Sequence, residues 1–186
     1  MKVFKKIILI ILLLFVLIIA LGIAWFAWAS HANKMKLKSD PISYECGNSD
    51  APKALIVYQK SRTDFAENVM KSYAKKVSEK GYNVTVNHPG DYMPKDVSEY
   101  DIVIFQSPVY MAATSPVMND YISSINNFGD AKLIFIATGM LESEEEFSAI
   151  EELFNDHKLD YLFKITQSDY KKDNNYAWNE ISKILD

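Results

Sequence analysis

The sequence predicts an α/β domain with a doubly wound, five-stranded parallel sheet, behind one N-terminal transmembrane helix. Short apolar runs, typical of strands buried on both faces, alternate with amphipathic helical patterns from residue 53 onwards. This alternation indicates a parallel sheet covered by helices on both faces. Ahead of it, residues 7–28 form a run of 22 residues without a charge. We therefore divide the chain into an anchor or signal at 1–29, a linker at 30–52 and a domain at 53–186.

The apolar run is long enough to cross a hydrocarbon core of roughly 30 Å at about 1.5 Å per residue. A retained anchor is the favoured interpretation, with the domain tethered to a membrane by a single pass. A cleaved signal peptide stays open, because Ala27-Trp28-Ala29 fits a small-x-small cleavage site. Three lysines flank each end of the run: Lys2, Lys5 and Lys6 before it, and Lys34, Lys36 and Lys38 after it. The lysine count therefore does not determine on which side of the membrane the domain lies.

Charge and cysteine content exclude several classes of function. The whole chain has 20 basic and 24 acidic side chains, and residues 31–186 alone have 17 and 24, a net charge of −7. An acidic domain without clustered Lys or Arg is poorly suited to nucleic acid, so no nucleic-acid partner is expected. The single cysteine, Cys46, lies in the predicted linker away from any His or Cys cluster, so no metal site is predicted.

The first half of the domain begins with a buried strand at 53–58. A helix is predicted at 64–80, where Phe65, Val69, Tyr73 and Val77 recur four apart, and Gly81 ends it. Residues 82–87 alternate apolar and polar side chains, which predicts an edge strand with one exposed face.

The second half contains three further strands, at 102–105, 133–137 and 161–165. Ser115-Pro116 begins a helix between the first two, because proline suits the first helical position. Ser143 and Glu146 are expected to form a capping box for the next helix, whose inward side chains are Phe147, Ile150, Leu153 and Phe154. The last helix is predicted at 176–185.

Three loops follow the carboxyl ends of the buried strands, where open α/β sheets bind ligands. They cover residues 59–66, 106–111 and 138–141. In the first, Ser61 and Thr63 supply hydroxyl groups and Arg62 supplies charge at a helix N-terminus, a combination suited to a phosphate.

In this order and spacing, the three loops resemble the cofactor loops of the flavodoxin family. The resemblance covers about residues 53–186 and rests on Val57-Tyr58-Gln59-Lys60-Ser61-Arg62-Thr63, on Ser107-Pro108-Val109-Tyr110 and on Thr138-Gly139. It implies strand order 2-1-3-4-5 and bound FMN, with the phosphate in the first loop and an aromatic ring of the second against the flavin. The implied cofactor-binding residues are Ser61, Arg62, Thr63, Phe65, Ala66, Ser107, Pro108, Val109, Tyr110, Thr138, Gly139 and Met140. No side chain is assigned a catalytic role.

The resemblance implies electron transfer, or reduction of a quinone-like acceptor by NAD(P)H, and leaves open whether the protein is an enzyme. A membrane tether favours a lipid quinone or another redox protein as partner.

Two departures from the family motif support an alternative, a flavodoxin-fold binding module that has lost FMN. Asp64 stands where the family usually has Gly, and Ala66 where it usually has Thr. As an N-cap, Asp64 would occupy the helix N–H groups that a phosphate needs and would repel the phosphate.

Overall fold

The computed structural model describes residues 2–110, 113–140, 144–154 and 157–185. The chain divides into two compact units, Met1–Ala32 and Asn33–Asp186. The first unit is helix α1, Lys2–His31, in which Phe4–Trp28 has a mean hydropathy of 3.6. By length and composition this helix is suited to cross a bilayer, and a signal sequence near an N-terminus meets the same criterion. The apolar helix is therefore present, and its role as an anchor stays a prediction.

The second unit is a twisted sheet between two layers of helices. Its strands are β1 (Ile42–Tyr44), β2 (Lys53–Tyr58), β3 (Asn83–Asn87), β4 (Ile102–Pro108), β5 (Lys132–Gly139) and β6 (Tyr161–Thr166). Its helices are α2 (Phe65–Glu79), α3 (Pro116–Ser124), α4 (Glu144–Glu152), α5 (Gln167–Lys172) and α6 (Tyr176–Leu185). The sheet order is β1-β3-β2-β4-β5-β6, and the five strands from β3 to β6 in this order all run parallel to their neighbours. Counted among these parallel strands alone, the order is the predicted 2-1-3-4-5.

The sheet has a sixth strand that the sequence prediction missed. Strand β1 comes from the predicted linker and pairs antiparallel with β3, with Ile42 opposite Val86 and Tyr44 opposite Val84. The prediction of β3 as an edge strand was therefore wrong, because β1 covers that edge. A strand of three residues directly after Pro41 is too short for an alternating pattern to identify.

Each face of the sheet packs against its own pair of helices. Ile56 and Ile104 point towards α2 and α6, whereas the neighbouring residues Val57 and Phe105 point towards α3 and α4. All four side chains are fully buried, and burial of each contributes roughly 1.5–3 kcal/mol. This two-sided burial explains why the central strands are apolar throughout, and it fixes their carboxyl ends at one edge of the sheet.

The helices agree with prediction except near the third loop and after β6. The capping residue of α3 is confirmed, because the Ser115 hydroxyl accepts a hydrogen bond from the Met118 N–H. Helix α5 was not predicted; it begins at a capping box in which Thr166 and Asp169 bond each other's backbone. The capping box expected at α4 falls partly on Ser143, which lies outside the described residues.

Residues 33–40, which we call the strap, lie along the carboxyl edge of the sheet. Backbone carbonyl groups of the strap accept hydrogen bonds from Ser115 Oγ at 2.6 Å, Gln59 Nε2 at 3.1 Å and the Tyr92 hydroxyl at 3.2 Å. Asn87 accepts from the Asp40 N–H and donates to Ser39 Oγ, both at 3.0 Å. Part of the predicted linker is therefore bound to the domain beside the loops that follow the strands.

Candidate functional site

The three predicted loops meet around one cavity at the carboxyl edge of β2, β4 and β5. These strands are neighbours in the sheet, so the loops that follow them lie side by side. The cavity has a volume of about 550 Å³, within the usual range for small-molecule sites. It is lined by Ser61, Arg62, Thr63, Phe65, Pro108, Val109, Tyr110, Thr138, Gly139, Met140, Glu146, Lys164 and Gln167. The structure thus brings together all the predicted site residues except Ala66 and Ser107.

The first loop connects β2 to the N-terminus of α2. The Ser61 hydroxyl donates to the Thr63 carbonyl oxygen at 2.5 Å and accepts from the Ala66 N–H at 3.3 Å. The Thr63 hydroxyl accepts from the Phe65 N–H at 3.4 Å. These two hydroxyl groups therefore lie at the start of the helix, where backbone N–H groups and the helix dipole favour an anion.

Asp64 occupies the position before α2, yet its side chain makes no capping hydrogen bond. The expectation that its carboxylate would occupy the helix N–H groups was wrong. Its backbone carbonyl instead accepts the Asn68 N–H at 2.8 Å, as in an ordinary first turn, and its side chain is exposed. Hydroxyl groups of Ser61 and Thr63 take the place that an Asp cap would have.

The second loop places an aromatic ring at the cavity. Tyr110 is half-buried, and its hydroxyl oxygen accepts a hydrogen bond from the Arg62 backbone N–H at 3.4 Å. Backbone bonds in both directions between Tyr110 and Ala113 close the loop behind it. Met111, at the end of the predicted loop, lies outside the described residues. The ring is thus held by its own loop and linked to the first loop.

Ser107 and Ala66, the two predicted residues that do not line the cavity, are buried and hydrogen-bond neighbouring segments of the site. Ser107 is fully buried; its hydroxyl donates to the Pro108 carbonyl and accepts the Ser115 N–H at 2.9 Å. Ala66 is also fully buried, and its carbonyl accepts from Gln106 Nε2 at 2.6 Å. Neither residue belongs to the cavity lining; Ser107 holds the second loop through its hydroxyl and Ala66 bonds Gln106 through its carbonyl, and their role in cofactor binding stays a prediction.

The third loop is joined to the second by a backbone bond from the Val109 N–H to the Thr138 carbonyl, at 2.8 Å. Thr138 is buried, whereas the Met140 side chain is 84 % exposed. Leu141 lies outside the described residues. The third loop therefore forms one wall of the cavity and ends in an exposed apolar side chain at its rim.

Three lining residues were missed by the sequence prediction: Glu146, Lys164 and Gln167. Glu146 was expected only as the capping-box partner of Ser143, but it is buried and forms an ion pair with Lys164 at 2.6 Å. Lys164 lies in the middle of the last strand, where the sequence gives no motif around it. The available signal was a lysine inside an otherwise apolar strand, Tyr161–Thr166, which calls for a buried partner.

Burial and ion pairing shift the pKa values of several groups near this edge. Burial lowers the pKa of His88, whose Nδ1 lies 3.0 Å from the Tyr58 carbonyl oxygen below the strap. Burial raises the pKa of Tyr58. On α2, a hydrogen bond from Lys71 lowers the pKa of Glu67, and Lys60 lies 3.4 Å from the same carboxylate. The acidic residue in the first turn of α2 is therefore compensated by two cations.

Solved structures share this architecture. A flavodoxin from Megasphaera elsdenii, solved in its two-electron reduced form, aligns with a TM-score of 0.57 at 17 % identity over 71 % of this chain and 97 % of that chain. A flavodoxin from Pseudomonas aeruginosa aligns with a TM-score of 0.54 at 13 % identity over 72 % and 96 %. The flavodiiron core of a Synechocystis protein aligns with a TM-score of 0.57 at 12 % identity over 74 % of this chain and 36 % of that chain.

These alignments show that residues 33–186 contain the flavodoxin-like fold. The chain spans almost the whole length of the two flavodoxins and about a third of the flavodiiron chain. No protein-family model matches the chain, and no curated protein matches it in sequence.

Proposed function

We propose that the protein binds FMN in the cavity between the three loops and transfers electrons while tethered to a membrane by α1. The observation that carries this proposal is the meeting of three elements around one cavity of about 550 Å³. They are a helix N-terminus with two hydroxyl groups, the ring of Tyr110 and the strand end at Thr138 and Gly139. Together they offer an anion site beside an apolar slot with an aromatic wall.

The first loop fits a phosphate. Ser61 and Thr63 hold their hydroxyl groups at the start of α2, and Arg62 lines the same cavity. The Asp64 side chain leaves the helix N–H groups to other acceptors, and the charge of Glu67 is offset by Lys60 and Lys71. The helix N–H groups are therefore open to a phosphate, and the carboxylate of Glu67 is compensated.

The second and third loops fit a flat ring. Val109 and Tyr110 of the second loop and Gly139 and Met140 of the third line the cavity, and the bond from the Val109 N–H to the Thr138 carbonyl joins the two loops. Bound flavin supplies the redox chemistry, and the protein's part is to hold it, shield it from water and set the charge around it. No side chain in the lining is required as an acid or base.

The membrane tether favours redox partners that are themselves located in the membrane. A lipid quinone or a membrane-bound redox protein would meet the domain at high local concentration, with NAD(P)H or another redox protein as electron donor. Retention of α1 is tested by alkaline extraction of membranes that contain the full chain. An anchored protein stays in the pellet, whereas release of a shortened chain would identify α1 as a cleaved signal.

A binding module without FMN is the second candidate, and one observation favours it. The Ser61 hydroxyl already bonds Thr63 and Ala66, and the Tyr110 hydroxyl already bonds the Arg62 N–H. The loops therefore satisfy part of their own hydrogen-bonding capacity. Under this candidate the cavity serves as a docking site for a protein partner.

Calorimetric titration of the detergent-solubilised full chain distinguishes the two candidates. We expect one FMN per chain, and riboflavin bound about tenfold to a hundredfold more weakly because it lacks the charge-assisted hydrogen bonds of the phosphate. Arg62→Gln should weaken FMN but not riboflavin. The matched control, Lys95→Gln, removes an exposed cation outside the cavity lining and should change neither. Absence of FMN binding would contradict the proposal and favour the binding module.

A further inference from the structure

The strap is bound to the domain mainly through its backbone. Its carbonyl groups at positions 33, 35 and 37 accept hydrogen bonds from the side chains of Ser115, Gln59 and Tyr92, respectively. Among the side chains of residues 34–38, only that of Leu37 is partly buried, and the others are exposed. Hydrogen bonds to alternate carbonyl groups, more than apolar packing, therefore hold this segment in place.

Two of the three donors belong to the region of the site. Gln59 is the first residue of the first loop, and Ser115 caps α3 four residues after the second loop. Both side chains are fully buried. Because a buried donor without an acceptor is strongly destabilising, these two side chains depend on the strap for the carbonyl groups that they bond.

Both donors are also bonded to the second loop. The Gln59 N–H donates to the carbonyl oxygen of Gln106, the first residue of that loop, at 2.9 Å. The Ser115 N–H donates to Ser107 Oγ at 2.9 Å, and the Ser107 hydroxyl donates to the Pro108 carbonyl at 3.1 Å. The strap is thus connected to the start of each loop, and Pro108 lines the cavity.

The direct connections between the first two loops are weakest at the cavity. At their buried ends, Gln106 bonds the Gln59 N–H and the Ala66 carbonyl. At the cavity, the part of the chain that the structure describes shows a bond from the Arg62 N–H to the Tyr110 hydroxyl at 3.4 Å, beyond the usual range of about 2.7–3.2 Å. A ligand that spans both loops would have to fix their spacing itself unless another element does so, and ordering of this kind reduces affinity.

We propose that Gln59 and Ser115 are positioning residues, through which the strap holds the first and second loops at the spacing that one ligand spanning both requires. This inference rests on the proposed function, in which the phosphate of FMN lies in the first loop and its ring lies against the second. The strap contributes to the site in this way without lining the cavity. Riboflavin has no phosphate to place in the first loop, so its binding does not depend on the spacing.

The test compares FMN and riboflavin by calorimetric titration of the detergent-solubilised full chain. Gln59→Met keeps the length of the side chain and removes the amide that bonds the strap. We expect FMN to bind about tenfold more weakly and riboflavin to bind within about twofold of its affinity for the unmodified protein. Gln59→Asn, whose amide is one methylene group shorter, tests the same point if the methionine variant does not fold. Ser115 is left unchanged, because its hydroxyl also caps α3.

The matched control is Tyr92→Phe, which removes a strap bond made by a residue outside the three loops and the cavity lining. It should bind both ligands as the unmodified protein does. If the Gln59 variants bind FMN with unchanged affinity, or lose affinity for both ligands equally, the strap does not set the spacing and the inference is wrong, while the proposed function stands. An equal loss of FMN affinity in the control would overturn the inference as well. If the unmodified protein does not bind FMN, the proposed function fails and this inference fails with it.

Discussion

Tyr110 connects two site loops and supplies the aromatic surface of the cavity. Replacing it with alanine should weaken FMN binding about tenfold to a hundredfold, because stacking of a ring on an aromatic side chain contributes roughly 1–3 kcal/mol. Tyr110→Phe keeps the ring and removes only the hydroxyl that accepts from the Arg62 N–H, so we expect a change of about threefold or less. Fluorescence titration with FMN measures both. Equal affinities for the two variants would mean that the ring does not contact the cofactor.

Asp64 places a carboxylate at the N-terminus of α2 without capping it. Asp64→Asn should strengthen FMN binding a few-fold, because the phosphate no longer meets this negative charge. The melting temperature should change little, since no capping bond is lost. Asp64→Ala, which leaves no side-chain oxygen to cap the helix, should also change the free energy of unfolding little; a loss of about 1 kcal/mol, the usual cost of replacing an N-cap by alanine, would contradict this.

His88 makes the stability of the domain sensitive to mild acid. Burial lowers its pKa below the ordinary value of 6.5, so the unfolded chain takes up a proton before the folded domain does. The free energy of unfolding should therefore be highest above about pH 6.5 and fall as the pH drops towards the folded-state pKa. Urea unfolding of residues 33–186 at pH 7.5 and 5.5 measures this fall. His88→Gln should make it smaller, and an equal fall in both proteins would assign the effect to other groups.

At the scale of elements, β1 and the strap complete the domain. They cover the outer edge of β3 and bond Gln59, Asn87 and Ser115 at the site edge. A protein that begins at residue 51 should melt about 5 °C or more below one that begins at residue 33, since each lost kcal/mol lowers the melting temperature by a few degrees. It should also aggregate more readily, because β3 then becomes an exposed edge. Scanning calorimetry of the two proteins at equal concentration checks this, and equal melting temperatures would show that the strap is dispensable.

The regular elements were predictable because their signals are local. Apolar runs predicted strands β2, β4 and β5. The recurrence of Phe65, Val69 and Tyr73 at every fourth residue predicted helix α2. Strand β1 and helix α5 have three and six residues, too few for any periodicity to emerge. Strand β1 forms by pairing with β3, a tertiary contact without a local signal, whereas the Thr166–Asp169 capping box was a local signal that the prediction missed.

At the scale of the whole molecule, the sequence predicted the site wherever a motif follows a strand. Loops after strands that are neighbours in a parallel sheet meet at one edge, so the order of the elements was enough to group Ser61, Tyr110 and Thr138. The pair of Glu146 and Lys164 joins residues 18 positions apart in elements without a motif, and only packing of α4 against the sheet reveals it. The role of Asp64 also required coordinates, because a capping residue type does not establish a capping bond.

The visible absorption spectrum of the purified full chain, supplied with FMN and then freed of excess by gel filtration, tests the central claim most directly. The account predicts the bands of bound flavin at one FMN per chain, and their loss in an Arg62→Gln/Tyr110→Ala variant that melts at the same temperature as the unmodified protein. A colourless, folded protein whose melting temperature does not rise with excess FMN would contradict it, since a ligand that binds only the folded state must stabilise that state.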